Sequence, residues 1–155
     1  MKDTDDADLM AQRLESLKAG IICAFSFFVV FTLASIFNHL LFKGYFNKLN
    51  YLSIITLDWH LLISAGIASF SGFLFGVTYR YIIREDENQQ LKAGSVVAFG
   101  LVRGLTQVDM GLNFSLSVFP LVLLSLESIL EFAVAAFNLD RAIKFGWVKP
   151  FVGGR

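Results

Sequence analysis

Cysteine, proline and charge are all scarce in this sequence. One cysteine, Cys23, in 155 residues cannot close an intramolecular disulfide, which excludes a cystine-stapled scaffold and argues against a thiolate metal site. It lies inside an apolar run and reads as a small buried residue. With 12 glycines and 2 prolines, a collagen-like repeat is excluded. Charged residues make up only 17% of the chain, and the 13 basic ones balance the 13 acidic ones. No basic surplus remains to neutralise a nucleic-acid backbone, so nucleic acid is not an expected partner. Also missing are a Gly-x-Ser-x-Gly elbow, a phosphate loop and a dinucleotide fingerprint, so no enzymatic activity is expected.

Apolar residues dominate instead, at 55% of the chain, with 17 phenylalanines. Mean hydropathy is +0.63. The charges are unevenly placed and leave long uncharged runs, which exclude disorder and disfavour a soluble domain. The first run, 19–42, lies between Lys18 and Lys43. As a helix it would rise about 36 Å, enough to cross a hydrocarbon core of about 30 Å. It follows a long acidic segment (Asp3, Asp5, Asp6, Asp8) and precedes no small-residue cleavage site, so it does not read as a signal peptide. A second span is expected over about 61–83, ending in the Tyr79-Arg80-Tyr81 belt typical of an interface. A third, weaker one covers about 93–112, interrupted by Arg103 and closed by Asp109. The fourth covers about 117–139, with Pro120 near its start, where a missing N–H costs nothing.

The sequence thus predicts an all-α polytopic membrane protein with four transmembrane helices. An acidic N-tail (1–18) and a basic C-tail (140–155) flank a transmembrane domain at 19–139. Ten basic residues fall on the side of the two tails and the middle loop (Lys2, Arg13, Lys18, Arg80, Arg84, Lys92, Arg141, Lys144, Lys149, Arg155). Lys43 and Lys48 alone fall opposite. The positive-inside rule then puts both termini on the cytoplasmic side or its organelle equivalent.

Leu17-Lys18-Ala19-Gly20, with Ala24-Phe25, recurs as Leu91-Lys92-Ala93-Gly94 with Ala98-Phe99. Ser64, Gly72 and Arg80 align loosely with Ser125, Ala133 and Arg141. The expectation is two tandem helical hairpins in parallel orientation, an internal repeat; the alternative is that interfaces select Lys-Ala-Gly independently. Ala65, Ser69, Gly72 and Gly76 form a stripe of small residues on the second span, and Gly100 and Gly104 form a Gly-x-x-x-Gly step on the third. Such faces let helices approach closely.

Ionisable groups gather in the second hairpin, where Arg103, Glu127 and Glu131 replace Val29, Gly66 and Phe70 of the first. Counted from Lys92 and from Arg141, both Arg103 and Glu131 lie about 15 Å into the membrane. An unpaired charge there costs at least about 2.5–3.5 kcal/mol, so Arg103 is expected to pair with Glu131 or Glu127, with Gln107 in reach. The cluster reads as polar glue between helices or towards a partner, or as a proton- or cation-handling site.

His39 and His60 lie at the opposite interface. They are candidate haem or chlorophyll ligands, weighed against ordinary interfacial polar residues. No other cofactor or metal site is expected. The segment between Gly44 and Trp59 is too apolar for open solvent and is expected to lie in the interface or against a partner.

The stretch Gly76-Val77-Thr78-Tyr79-Arg80-Tyr81, with Leu91-Lys92-Ala93-Gly94 and Ala98-Phe99-Gly100-Leu101-Val102-Arg103-Gly104, resembles a family of small integral membrane proteins of cyanobacteria and chloroplasts. The likeness covers roughly residues 60–110. It implies a thylakoid or cyanobacterial plasma membrane and an association with photosynthetic or respiratory complexes; it carries no active-site residue. The lack of a transit peptide fits a bacterial, organelle-encoded or already mature chain. Two functions are therefore expected in competition. One is a non-enzymatic accessory or assembly subunit of a larger membrane complex, its partners being lipid and other membrane subunits. The other is a small homo-oligomeric transporter or proton/cation channel using Glu127 and Glu131 with Arg103.

Overall fold

The computed structural model describes residues 2–45, 59–83, 88–113 and 118–151, with side-chain surroundings for 9–37, 59, 62–83, 88–113 and 121–151. Among the described residues the regular structure is all-helical: α1 (Lys2–Tyr45), α2 (Trp59–Ile83), α3 (Gln89–Asn113) and α4 (Val118–Lys144). The apolar segment expected at the interface, 46–58, lies outside the described residues.

Helix α1 is 44 residues long. At 1.5 Å per residue it extends about 66 Å, more than the roughly 40–45 Å of a whole bilayer with its headgroups. The acidic segment expected as a separate tail is therefore the opening of the same helix. Nothing between Lys2 and Ala19 interrupts it, since the stretch holds neither Gly nor Pro, and acidic residues near a helix start suit its dipole. Helix α3 opens on Asn88, whose side-chain oxygen accepts the N–H groups of Gln90 (3.0 Å) and Leu91 (3.4 Å). Helix α4 runs past the expected end at residue 139 to Lys144. Its stop is a Schellman turn: Gly146 takes φ +76°, the Trp147 N–H reaches the Ala142 carbonyl (2.9 Å) and the Gly146 N–H reaches that of Ile143 (3.0 Å). The turn sends Val148 into the core, so the basic C-tail is anchored midway along its length.

Helices α1 and α2 form one antiparallel hairpin, α3 and α4 the other, and the two meet chiefly where α1 lies on α4. Buried positions on α1 (Ser16, Ala19, Gly20, Cys23, Ser26, Phe27) recur at helical spacing and make a single face. At the centre each helix contributes one phenylalanine ring. Phe132 stands 4.5 Å from Phe27, 5.1 Å from Phe75 and 5.7 Å from Phe99, centroid to centroid. Phe75 meets Phe99 at 5.3 Å, and the contacts with Phe27, Phe75 and the Phe75–Phe99 pair are edge-on.

Among the described residues, three segments are long and apolar enough to cross a membrane: Leu9–Phe37, Leu62–Ile83 and Leu121–Lys144. Helix α3, expected as a fourth span, is not among them. Its 25 residues suffice in length, but Lys92, Arg103 and Asp109 with several amides lower its hydropathy. Large apolar side chains lie exposed on all four helices, Phe25, Ile67, Val102 and Leu130 among them. In water that surface would be a liability; against acyl chains it is the expected exterior.

The residue match between the hairpins is not a match of roles. Ala19, Gly20, Cys23 and Phe27 are buried, whereas their counterparts Ala93, Gly94, Val97 and Leu101 are exposed. A Cβ on Gly20 would stand 2.6 Å from the Phe73 ring, while one on Gly94 would meet nothing within 4 Å. The buried face of α3 is carried instead by Ser95, Gly100, Gly104 and Gly111.

Candidate functional site

The seam between α3 and α4 carries the Arg103–Glu131 pair and a row of hydrogen-bonded side chains. Two glycines of α3 let it close: a Cβ on Gly100 would stand 2.7 Å from the Ile129 Cα, and one on Gly104 2.8 Å from the Ser125 Cα. Ser125 Oγ lies 3.1 Å from the Gly104 carbonyl oxygen and 3.0 Å from that of Leu121, so its proton is shared between helices. One turn on, Ser128 donates to the Gln107 side-chain oxygen (3.1 Å). Beyond that, Arg103 Nε lies 3.5 Å from Glu131 Oε2, with side chains only 15% and 4% exposed.

That ion pair is unusual in its spacing. Charge-assisted N–H···O bonds usually measure about 2.7–2.9 Å. Both Arg103 Nε and Glu131 Oε2 are buried without a hydrogen bond. The two charges attract across the seam without closing on each other. Glu127 sits half-buried one turn before Glu131 on α4. Gln107, anticipated beside Arg103, is engaged with Ser128. Asn138, two turns after Glu131, serves the other hairpin and donates to Ser26 of α1 (2.8 Å).

The small residues of α2 face α1. A Cβ on Gly72 would stand 2.7 Å from the Phe27 side chain, and one on Gly76 2.5 Å from the Ala19 carbonyl oxygen and 2.8 Å from Cys23 Cβ. Ala65 is buried, and half-buried Ser69 donates to the Ala65 carbonyl of its own helix (2.8 Å). Cys23 Sγ points at the Ala135 carbonyl on α4, 3.7 Å away. His39 falls within α1 and His60 within α2, but their side chains lie outside the described residues. Among the described residues, no group of three His, Cys, Asp or Glu side chains is placed to hold a metal ion.

Sequence reasoning missed Arg80. Counted there as a loop charge in an interfacial belt, it is 1% exposed. Its Nε donates to the Lys149 carbonyl (2.8 Å), Nη1 to the Ser16 hydroxyl (2.7 Å) and the Gln12 carbonyl (3.1 Å), and Nη2 to the Gln12 side-chain oxygen. Next to it the Lys149 N–H donates to Glu15 (2.9 Å). One guanidinium thus ties the start of α1, the end of α2 and the C-terminal segment together. Lys92, also counted as a loop charge, pairs with Asp140 at 3.2 Å and joins the start of α3 to the end of α4. No sequence signal marked Arg80, because its acceptors are mostly backbone carbonyls and neutral side chains.

Long apolar helices, a lipid-compatible exterior and polar groups gathered into inter-helix seams define a helical integral membrane protein. Compared with family models, curated proteins and solved structures, the chain matches none.

Proposed function

We propose that this chain is a non-enzymatic accessory or assembly subunit of a larger membrane complex. The observation that carries the reading is the filled centre: Phe27, Phe75, Phe99 and Phe132, one from each helix, occupy the place where a conduit through a single chain would run. What remains available for work is the outer surface, which in a membrane meets lipid or another subunit. In this reading α3 crosses with α4, since the two pack antiparallel from Gly100 against Ile129 to Gly111 against Leu121. Crossing as a pair hides Arg103 against Glu131 and lowers the cost of a helix too polar to cross alone. Both termini then face the cytoplasm by the distribution of Lys and Arg. The tandem-repeat origin and a thylakoid or cyanobacterial plasma membrane belong to the same proposal and rest on the sequence matches alone.

One observation favours a second reading, a small oligomeric transporter or proton/cation channel. Arg103 and Glu131 stand 3.5 Å apart with facing atoms unbonded, leaving a buried carboxylate that a proton or cation would perturb. Gentle extraction from the native membrane, followed by native electrophoresis and identification of co-migrating chains, separates the two. A mixed complex is the expected result. A pure homo-oligomer whose ion flux disappears with Glu131→Gln or Glu127→Gln, at unchanged protein level, would establish the second reading instead.

A further inference from the structure

A furrow of about 340 Å³ runs between α1 and α4, walled by Ile22, Phe25 and Val29 on one side and by Asn138 and Ala142 on the other, and bordered by Arg141 and Trp147. That volume lies within the range of small-ligand sites. Both walls belong to segments apolar enough to cross a membrane, and Phe25 on the α1 wall is an exposed side chain. The furrow therefore opens towards lipid, where an apolar groove is filled by an acyl chain or by another helix.

Arg141 decides between these occupants. Among the described residues it makes no ion pair; its guanidinium lies over the Phe137 ring, 4.6 Å from the centroid. The adjacent carboxylate, Asp140, is occupied by Lys92. Lys144 follows Arg141 within one turn at the end of α4. A helix docking here would satisfy its backbone internally and leave this charge against apolar side chains, whereas a phosphate would accept paired, charge-assisted bonds from it. The Schellman turn completes the site by holding Phe145 and Trp147 outwards, 72% and 71% exposed, as aromatic anchors at headgroup level.

We propose that the α1–α4 furrow binds an anionic phospholipid, with an acyl chain along the helices and its phosphate on Arg141. The proposal stands independently of the subunit reading above, because it requires a bilayer and no protein partner. Basic residues beside grooves between transmembrane helices are suited to such headgroups.

The test uses the full chain in nanodiscs. The chain has two tryptophans, so Trp59→Phe leaves Trp147 as the sole emitter beside the furrow. Small, equal shares of acyl-brominated phosphatidylglycerol or phosphatidylcholine are added to an unlabelled phosphatidylcholine bilayer. Brominated phosphatidylglycerol should quench Trp147 at about fivefold lower mole fraction, the preference set by one basic residue at a membrane surface. Arg141→Gln should abolish that preference and Arg141→Lys retain most of it. Equal quenching by the two lipids would mean unselective boundary lipid and overturn the proposal, whether or not Arg141→Gln folds. Preference persisting in Arg141→Gln would place the phosphate elsewhere. Quenching by neither lipid would mean that a second copy or another helix fills the furrow. Relief of the quenching by inorganic phosphate, with no chain-length dependence, would reassign the site to free phosphate. Each of these last three results also overturns it.

Discussion

The α1–α2 seam and the α3–α4 seam both bring backbones together at glycine, yet they fill the remaining space differently. In the first, Gly20, Gly72 and Gly76 receive Phe73, Phe27, Cys23 and the Ala19 backbone, and the contact is apolar and tight. In the second, Gly100, Gly104 and Gly111 alternate with Ser125, Ser128, Gln107 and the Arg103–Glu131 pair. Acyl chains are as apolar as leucine, so burial of apolar surface gives helices little reason to associate inside a bilayer. Around its glycines the first seam therefore relies on shape, its polar ties being gathered at one end where Arg80 meets Gln12 and Ser16, and the second carries polar pairing among its glycines, which fixes register and partner. Shape is broken by volume, and pairing by removing one charge.

The largest expected effect follows from that contrast. Arg103→Leu leaves the Glu131 carboxylate buried without its cation and should cost about 3–5 kcal/mol in a reversible unfolding titration in mixed micelles. The double variant Arg103→Leu/Glu131→Leu should recover most of the loss, because two apolar residues replace a pair that was costly to desolvate. A double variant as damaged as the single would show that the seam depends on more than this pair.

Next comes the apolar seam. Gly76→Leu drives a side chain into the Ala19 carbonyl and Cys23, and backbone cannot step aside cheaply. A cost of about 1–3 kcal/mol is expected by the same titration, with no rescue from any charge substitution. An unchanged midpoint would mean that the helices separate there without penalty.

The smallest effect sharpens the comparison most. Gly20 and Gly94 occupy the same position in the two copies of Leu-Lys-Ala-Gly, but only Gly20 faces a neighbour. Gly94→Ala should raise the thermal midpoint, since it adds up to about 1 kcal/mol of helix propensity, while Gly20→Ala lowers it by displacing Phe73. Equal shifts in both would make the two hairpins equivalent after all.

Much of this contrast is legible in the chain itself. Helix content, the close approach at Gly72, Gly76, Gly100 and Gly104, and the meeting of Arg103 with Glu131 follow from spacing and from counting residues inward from Lys92 and Arg141. Those features are local or periodic. The full length of α1 escaped because charge marks where a helix leaves the hydrocarbon, not where it ends, and nothing before Ala19 stops it. Arg80 escaped for a different reason. A basic residue between two tyrosines is written identically whether it faces water or is enclosed by Gln12, Ser16 and Lys149, and only tertiary packing separates the cases. In the same way, identical letters at Gly20 and Gly94 conceal opposite surroundings.

The enclosure of Arg80 also orders events in time. Its acceptor on Lys149 lies 69 residues downstream, so when α1 and α2 enter the bilayer the guanidinium has only the Gln12 and Ser16 partners. At roughly 5–20 residues per second of synthesis, several seconds pass before Lys149 is made. Through that interval the first hairpin waits with an incompletely satisfied cation at its membrane end. A segment made only after all four helices is thus the one that latches the first two, and a nascent chain halted before Lys149 holds an inserted but unlatched hairpin.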